Sequence, residues 1–212
     1  ADRLAQQPSR IFRRLTLADL YLDLGSSQKA LPILQETAAI IEATGVRNEA
    51  DWCQILLAKQ QRLAQQINAS LITLEIPEPK NPLDRVIWLT ELAQTRLAAQ
   101  DFTGVLQLLE GEDAPPNTLS QLLGMRLQAL AALEKPLTEE LSEMNTLEPE
   151  LTPLFLLHYH VALTRTHQFT HQTELVNHHQ AAARAQVLVM ATSLEDYPEL
   201  KNSFLELHAD LI

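Results

Sequence analysis

Apolar residues recur at helical spacing from the start of the chain. Ile11/Phe12, Leu15, Leu17/Ala18 and Tyr21/Leu22 fall on one stripe within residues 10–24 and predict an amphipathic helix. Gly25 offers that helix a stop, and Ser26 or Ser27 can cap a partner helix over 28–44, with Pro32 near its first turn and Thr44-Gly45 at its end. The same alternation of helix and break continues. It predicts hairpins over 48–66 and 68–75 (Asn68 as cap), 83–100 and 102–110 (Asp101 as turn), 117–133 and 137–146 (a hinge at Lys135-Pro136), and 153–166 and 171–193, with a last helix from Pro198. Ile76 to Pro82 carries three prolines and must be an extended connector. An alternating strand pattern is absent; the nearest segment is Ser70 to Ile76, a short apolar run that periodicity leaves ambiguous.

Within these hairpins one pair repeats, a large apolar residue followed by a small one: Leu17-Ala18, Leu57-Ala58, Leu92-Ala93, Leu123-Gly124, Val161-Ala162 and, at the end, His208-Ala209. After the first three, a small or β-branched residue follows twelve positions on and a leucine sixteen positions on: Ala30/Leu34, Ser70/Leu74 and Val105/Leu109. In the fourth hairpin the leucines shift to Leu137/Leu141. A small side chain on each of two facing helices lets their backbones approach, and a leucine beside them fills the groove. The expected fold is all-α, an α–α superhelix of five hairpins and a final helix, in a single domain over 1–212 with a subdomain break at 76–82.

The final residues Ala209-Asp210-Leu211-Ile212 repeat Ala18-Asp19-Leu20-Tyr21, so the last helix is expected to be cut in mid-course and the chain to be a domain excised from a longer one. Phe204, Leu205, Leu207, Leu211 and Ile212 would then form an open apolar face, and weak self-association through residues 198–212 is expected.

The formal charge of −11 argues against direct contact with nucleic acid by this segment, since phosphate binding relies on clustered Lys and Arg. Arg3, Arg10, Arg13 and Arg14 form the one basic run and read as a solvated helix face. A single cysteine, Cys53, excludes an internal disulfide, fits a reducing compartment and lies in an apolar stretch as a buried hydrophobe. With no signal segment and no run of eighteen apolar residues, the expected location is cytoplasmic and away from membranes.

Catalytic motifs are lacking. There is no phosphate-binding loop, nucleophile elbow or H-E-x-x-H, and the five glycines leave little material for a phosphate cradle. Glu139-Glu140 reads as a solvated pair. Six of the seven histidines lie between 158 and 179. His167, His171, Glu174 and His178 would share a stripe on one continuous helix, the spacing of a metal site. The hairpin register instead puts Gln168-Phe169-Thr170 in a turn that separates His167 from the others, so these histidines read as a polar face, and neither an enzyme nor a metal or other cofactor is expected.

The first hairpin, Leu17-Ala18-x-x-Tyr21-x-x-x-Gly25 followed by Ala30 and Leu34, resembles the tetratricopeptide repeat. The steps between the small residues, 40, 35, 31 and 38, depart from the roughly 34 of that repeat, and Gln61, Arg96, Leu127 and Arg165 replace its tyrosine. Leu97 to Phe102 leading into Val105 to Glu110, and Glu42-Ala43-Thr44-Gly45, resemble the degenerate repeats of MalT-like, LuxR-type transcriptional activators. The resemblance implies a non-catalytic sensor or interaction module that offers a concave helical surface to a protein segment or small effector inside a multidomain transcriptional regulator; the alternative is a free-standing adaptor for protein–protein interaction. It also implies that residues one and four places after the small residue face the ligand: Asp19 and Leu22, Lys59 and Arg62, Gln94 and Leu97, with Trp52 on the same side.

Overall fold

The computed structural model describes residues 7–46 and 49–211. The fold is all-helical, 77 % helix, with no strand among the described residues. Among the described residues eleven α-helices follow one another: α1 (Gln7–Asp23), α2 (Ser27–Thr44), α3 (Ala50–Leu63), α4 (Ile67–Thr73), α5 (Pro82–Ala98), α6 (Phe102–Leu108), α7 (Pro116–Ala132), α8 (Thr138–Leu147), α9 (Pro153–Phe169), α10 (Thr173–Thr192) and α11 (Pro198–Leu207). The ambiguous run at 70–76 is the end of α4 and the turn after it.

Five hairpins, α1/α2 through α9/α10, are closed by the same device. One residue in each turn lies at positive φ: Gly25, Gln65, Gln100, Glu134 and His171. The amide of the residue after it donates back to a carbonyl in the last turn of the first helix, as in Ser26 to Tyr21 (2.7 Å), Gln66 to Gln61 (2.8 Å), Asp101 to Arg96 (2.9 Å), Lys135 to Leu130 (2.9 Å) and Gln172 to His167 (3.0 Å). This bond and a second one, from the positive-φ residue itself to the carbonyl three residues back, satisfy carbonyls that a helix end would otherwise leave open. Only the first turn uses glycine, and there the space also requires it: a Cβ on Gly25 would lie 2.6 Å from the Ser203 carbonyl oxygen of α11. The turn of the fifth hairpin lies at 170–172, because α9 continues through Gln168 and Phe169, which the sequence had assigned to the turn.

The small residues sit where helices meet. Ala18, Ala58, Ala93, Ala30, Ser70, Val105 and Leu34 are fully buried, Leu74 and Leu109 nearly so. At Ala58 the approach is close enough for the Ser70 hydroxyl on α4 to donate to the Ala58 carbonyl, 2.9 Å away on α3. Between α7 and α9 a Cβ on Gly124 would lie 2.7 Å from Cβ of Ala162, so glycine is what admits that contact. The large half of each pair is less constant: Leu92 and Leu123 are buried while Leu17 is 41 % exposed, facing away from the contact its neighbour makes.

The chain divides into two compact units, Ala1–Thr95 with Glu199–Leu207 and Arg96–Pro198 with His208–Ile212. The division falls within α5, and the Ile76–Pro82 connector lies inside the first unit. The core of the first joins Ile11, Leu15, Ala18 and Leu22 of α1 to Ala30 and Leu34 of α2 and Cys53 and Leu56 of α3. Cys53 is 3 % exposed, its Sγ lies 3.9 Å from the Leu34 carbonyl, and burial pushes its thiol up to about 11. In the second unit Leu123, Leu127, Met144, Tyr159, Ala162 and Leu163 join α7, α8 and α9.

The expected open face on the last helix is reduced: Phe204 and Leu211 are buried and Leu205 is half-buried, while Leu207 stays exposed. α11 ends at Leu207, and 208–211 form a turn rather than a continuing helix; Ile212 lies outside the described residues. Phe204 is 1 % exposed and Leu211 8 %. α11 returns to the first hairpin, with Ser203 against Gly25 and Lys29 Nζ 2.6 Å from the Glu199 carboxylate.

Two substitutions test these contacts. Gly124→Val should overpack the α7–α9 contact and lower stability by about 1–3 kcal/mol, read from the urea midpoint. Gln65→Gly should raise stability by about 0.5–1 kcal/mol, because glycine carries no Cβ penalty in the left-handed region; an unchanged or lower midpoint would contradict strain at that turn.

Candidate functional site

The residues that the repeat register brings forward lie along the first helices of successive hairpins, α1, α3 and α5. A small residue at the contact fixes the helix rotation, so the side chains one and four places on emerge side by side on neighbouring helices. Lys59 on α3 reaches two carboxylates of α1, Asp19 at 2.7 Å and Asp23 at 2.6 Å. Burial works against the Lys59 charge, and the carboxylates of Asp23 and Asp19 more than offset it, so its pKa stands above the ordinary lysine value. Arg62, one turn further along α3, makes a forked contact with Glu91 of α5, at 2.6 and 3.0 Å.

The ladder continues inward through hydroxyls. Thr95 donates to the Glu91 carbonyl at 2.9 Å and lies 3.1 Å from the Ser70 hydroxyl, which reaches the Ala58 carbonyl. Glu91, at 5 % side-chain exposure, therefore has a cation and its helix's own threonine around it. Spacing alone had not selected Glu91; an acid inside the apolar run Leu89 to Ala93 was the available signal.

Other expected ligand-facing residues are distributed differently. Gln94 and Leu97 are half-buried on α5, whereas Leu22 is 1 % exposed and belongs to the core. Trp52 meets Phe12 with ring centroids 5.4 Å apart and the ring planes tilted by 52°, and its buried Nε1 has no hydrogen-bond partner. In the same unit Asp84 is held above the ordinary aspartate value by burial and then by the charges of Asp51 and Glu49.

In the second unit, a cleft of about 210 Å³ lies between α6, α7 and α8 with Leu109, Leu119 and Leu122 at its floor and Glu139 and Glu143 at its rim. Glu140 is not a solvated partner of Glu139: its carboxylate takes Arg126 Nε at 3.0 Å and is 12 % exposed.

The histidines divide: His171 and His178 are exposed, as a polar face requires, and His160 and His167 are not. His160 and His167 are 6 % and 5 % exposed, on the side of α9 that meets α10, and His179 of α10 lies between them. His171 is the positive-φ turn residue and His178 is exposed, so the stripe His167, His171, Glu174, His178 does not form. The reason is the break at 170–172, which starts a new helix in a new register. A histidine inside the apolar run Leu156 to Leu163 was the signal that His160 is buried. Among the described residues, no group of three or more His, Cys, Asp or Glu side chains stands where it could hold a metal ion.

No protein-family model, curated protein or solved structure matches this chain. What α1, α3 and α5 present is a ladder of ion pairs across three helices, with half-buried Gln94 beside Glu91's turn of α5. No helix among the described residues is long and apolar enough to cross a membrane.

Arg62→Leu leaves the Glu91 carboxylate buried without its cation and should cost about 3 kcal/mol. Replacing both, Arg62→Leu with Glu91→Leu, should recover most of that loss. A double variant no more stable than the single one by urea unfolding would contradict the pairing as the reason both residues are there.

Proposed function

We propose that this chain is a non-catalytic interaction module, an array of helical hairpins of the tetratricopeptide type, which receives a protein segment or a small effector on the face of its first helices and serves within a multidomain transcriptional regulator in the manner of the MalT-like activators. The observation that carries the reading is repetition. Five hairpins share one turn geometry, and the first three also share one small-residue register; a repeated unit of this kind multiplies a surface rather than building a single reaction centre. The ladder of Asp19, Lys59, Arg62 and Glu91 supports it, because charged groups already paired across helices give a rigid polar rim of the kind that orients a ligand. The net charge of −11 supports a partner other than a nucleic-acid backbone.

A thermal-shift screen with sugars, nucleotides and peptides tests the reading. A true ligand at 100 times its Kd adds about 2.7 kcal/mol of stability, and Gln94→Arg, on a half-buried position of the proposed face, should abolish the shift while leaving the unliganded melting temperature within a few degrees. A ligand that stabilises both proteins equally, or one that is turned over during the assay, would overturn the proposal.

A further inference from the structure

We propose that the α9–α10 hairpin is an acid-sensitive latch, held shut at neutral pH by the uncharged rings of His160, His167 and His179 and released when those rings take up protons. Three imidazoles from two helices share one buried contact. The His179 ring lies 5.4 Å from that of His160 and 5.6 Å from that of His167, nearly parallel to the latter. Nδ1 of His160 and Nδ1 of His179 are 3.2 Å apart, a hydrogen bond that exists only while one nitrogen carries a proton and the other is bare. A second proton on this pair turns it into two donors facing each other. Nδ1 of His167 has no hydrogen-bond partner, so in the charged ring its Nδ1–H would be buried and unanswered.

Little around the contact would shelter such a charge. Glu148 is the carboxylate that favours a charged His160, and its Oε2 already accepts from the Tyr159 hydroxyl at 3.3 Å, while His178 on α10 opposes it. Gln172 in the turn favours a charged His167 without overcoming burial. On α7, packed against α9, the charged side chain is Arg126, committed to Glu140 of α8. The remaining charges of the two helices, Arg165, Glu174 and Arg184, are exposed.

The direction of the effect follows. Burial lowers all three histidines below their ordinary value, and for His179, where the neighbouring His160, His178 and His167 add to it, the value falls to about 4. An opened hairpin would titrate near the unperturbed value of about 6.5. Between these limits the open form binds more protons than the closed one, so stability is complete above about pH 6.5 and is lost as pH falls toward 4.

Amide hydrogen exchange on the whole chain, corrected for the intrinsic rate at each pH, reads the latch directly. From pH 7 to 4.5 the protection of residues 157–183 should fall at least about tenfold more than that of residues 15–34 in the first unit. His179→Gln, which keeps a neutral hydrogen-bonding side chain, should remove most of that difference, and His167→Gln serves if that variant does not fold. The imidazole Cε1 protons of the wild type, followed by NMR, should titrate below the ordinary histidine value. Equal loss of protection in both segments, the same difference in the folded glutamine variant, or three rings that titrate at their ordinary value would each overturn the proposal. So would zinc that protects residues 157–183 of the wild type at pH 7 and not those of His179→Gln, since that outcome assigns the rings to a metal.

Discussion

Two helices can approach only as far as the side chains between them allow, and the rest of this structure depends on that limit being relaxed at regular intervals. Where Gly124 faces Ala162 there is no room for one further carbon. Where Ala58 is fully buried, a serine hydroxyl on the next helix reaches its backbone carbonyl. Close approach brings dispersion contacts and buries the flanking leucines, but its larger consequence is rotational. Once the small residue must face the contact, every other position on that helix has a fixed direction.

The polar ladder is the outcome of that rotation. Asp19, Lys59, Arg62 and Glu91 pair because the contacts at Ala18, Ala58 and Ala93 present them to one another across α1, α3 and α5. Each is partly removed from water and would be costly alone, whereas together they leave little charge unanswered. The same rotation sends Leu22, four positions after Ala18, into the core while Arg62, four after Ala58, meets solvent and Glu91. Equivalent positions in a repeat share a direction; whether they share an environment depends on what the next helix supplies.

The second unit uses buried polarity differently. Tyr159 is satisfied by Asn145 at 3.1 Å and by Glu148, and burial, then Glu148, raises its phenol above the ordinary tyrosine value. The neighbouring histidines rely on one another instead. The three imidazoles pack against one another across α9 and α10, and the acid-sensitive latch proposed above rests on that mutual contact.

Most of the architecture was legible from residue order. Helical periodicity, prolines at 77–82 and the small-residue register are local signals, and the five hairpins, the buried Ala18, Ala58, Ala93, Ser70 and Val105, and the core cysteine follow from them. One turn was legible from its glycine. The other four turn at Gln65, Gln100, Glu134 and His171, residues that do not announce positive φ, because the strain is offset by the hydrogen bonds and packing of the completed hairpin. Likewise the cation for Glu91, the burial of His160 and His167, and the return of α11 to Gly25 join residues distant in sequence. The sequence by itself determined how many helices form before the last, roughly where each lies and which small residues touch, since those depend on spacing along one helix; the ends of α9 and α11 were not among them. Which charges are answered, which rings stack and where the last helix lies were decided only by tertiary structure, because each depends on the neighbour that packing delivers.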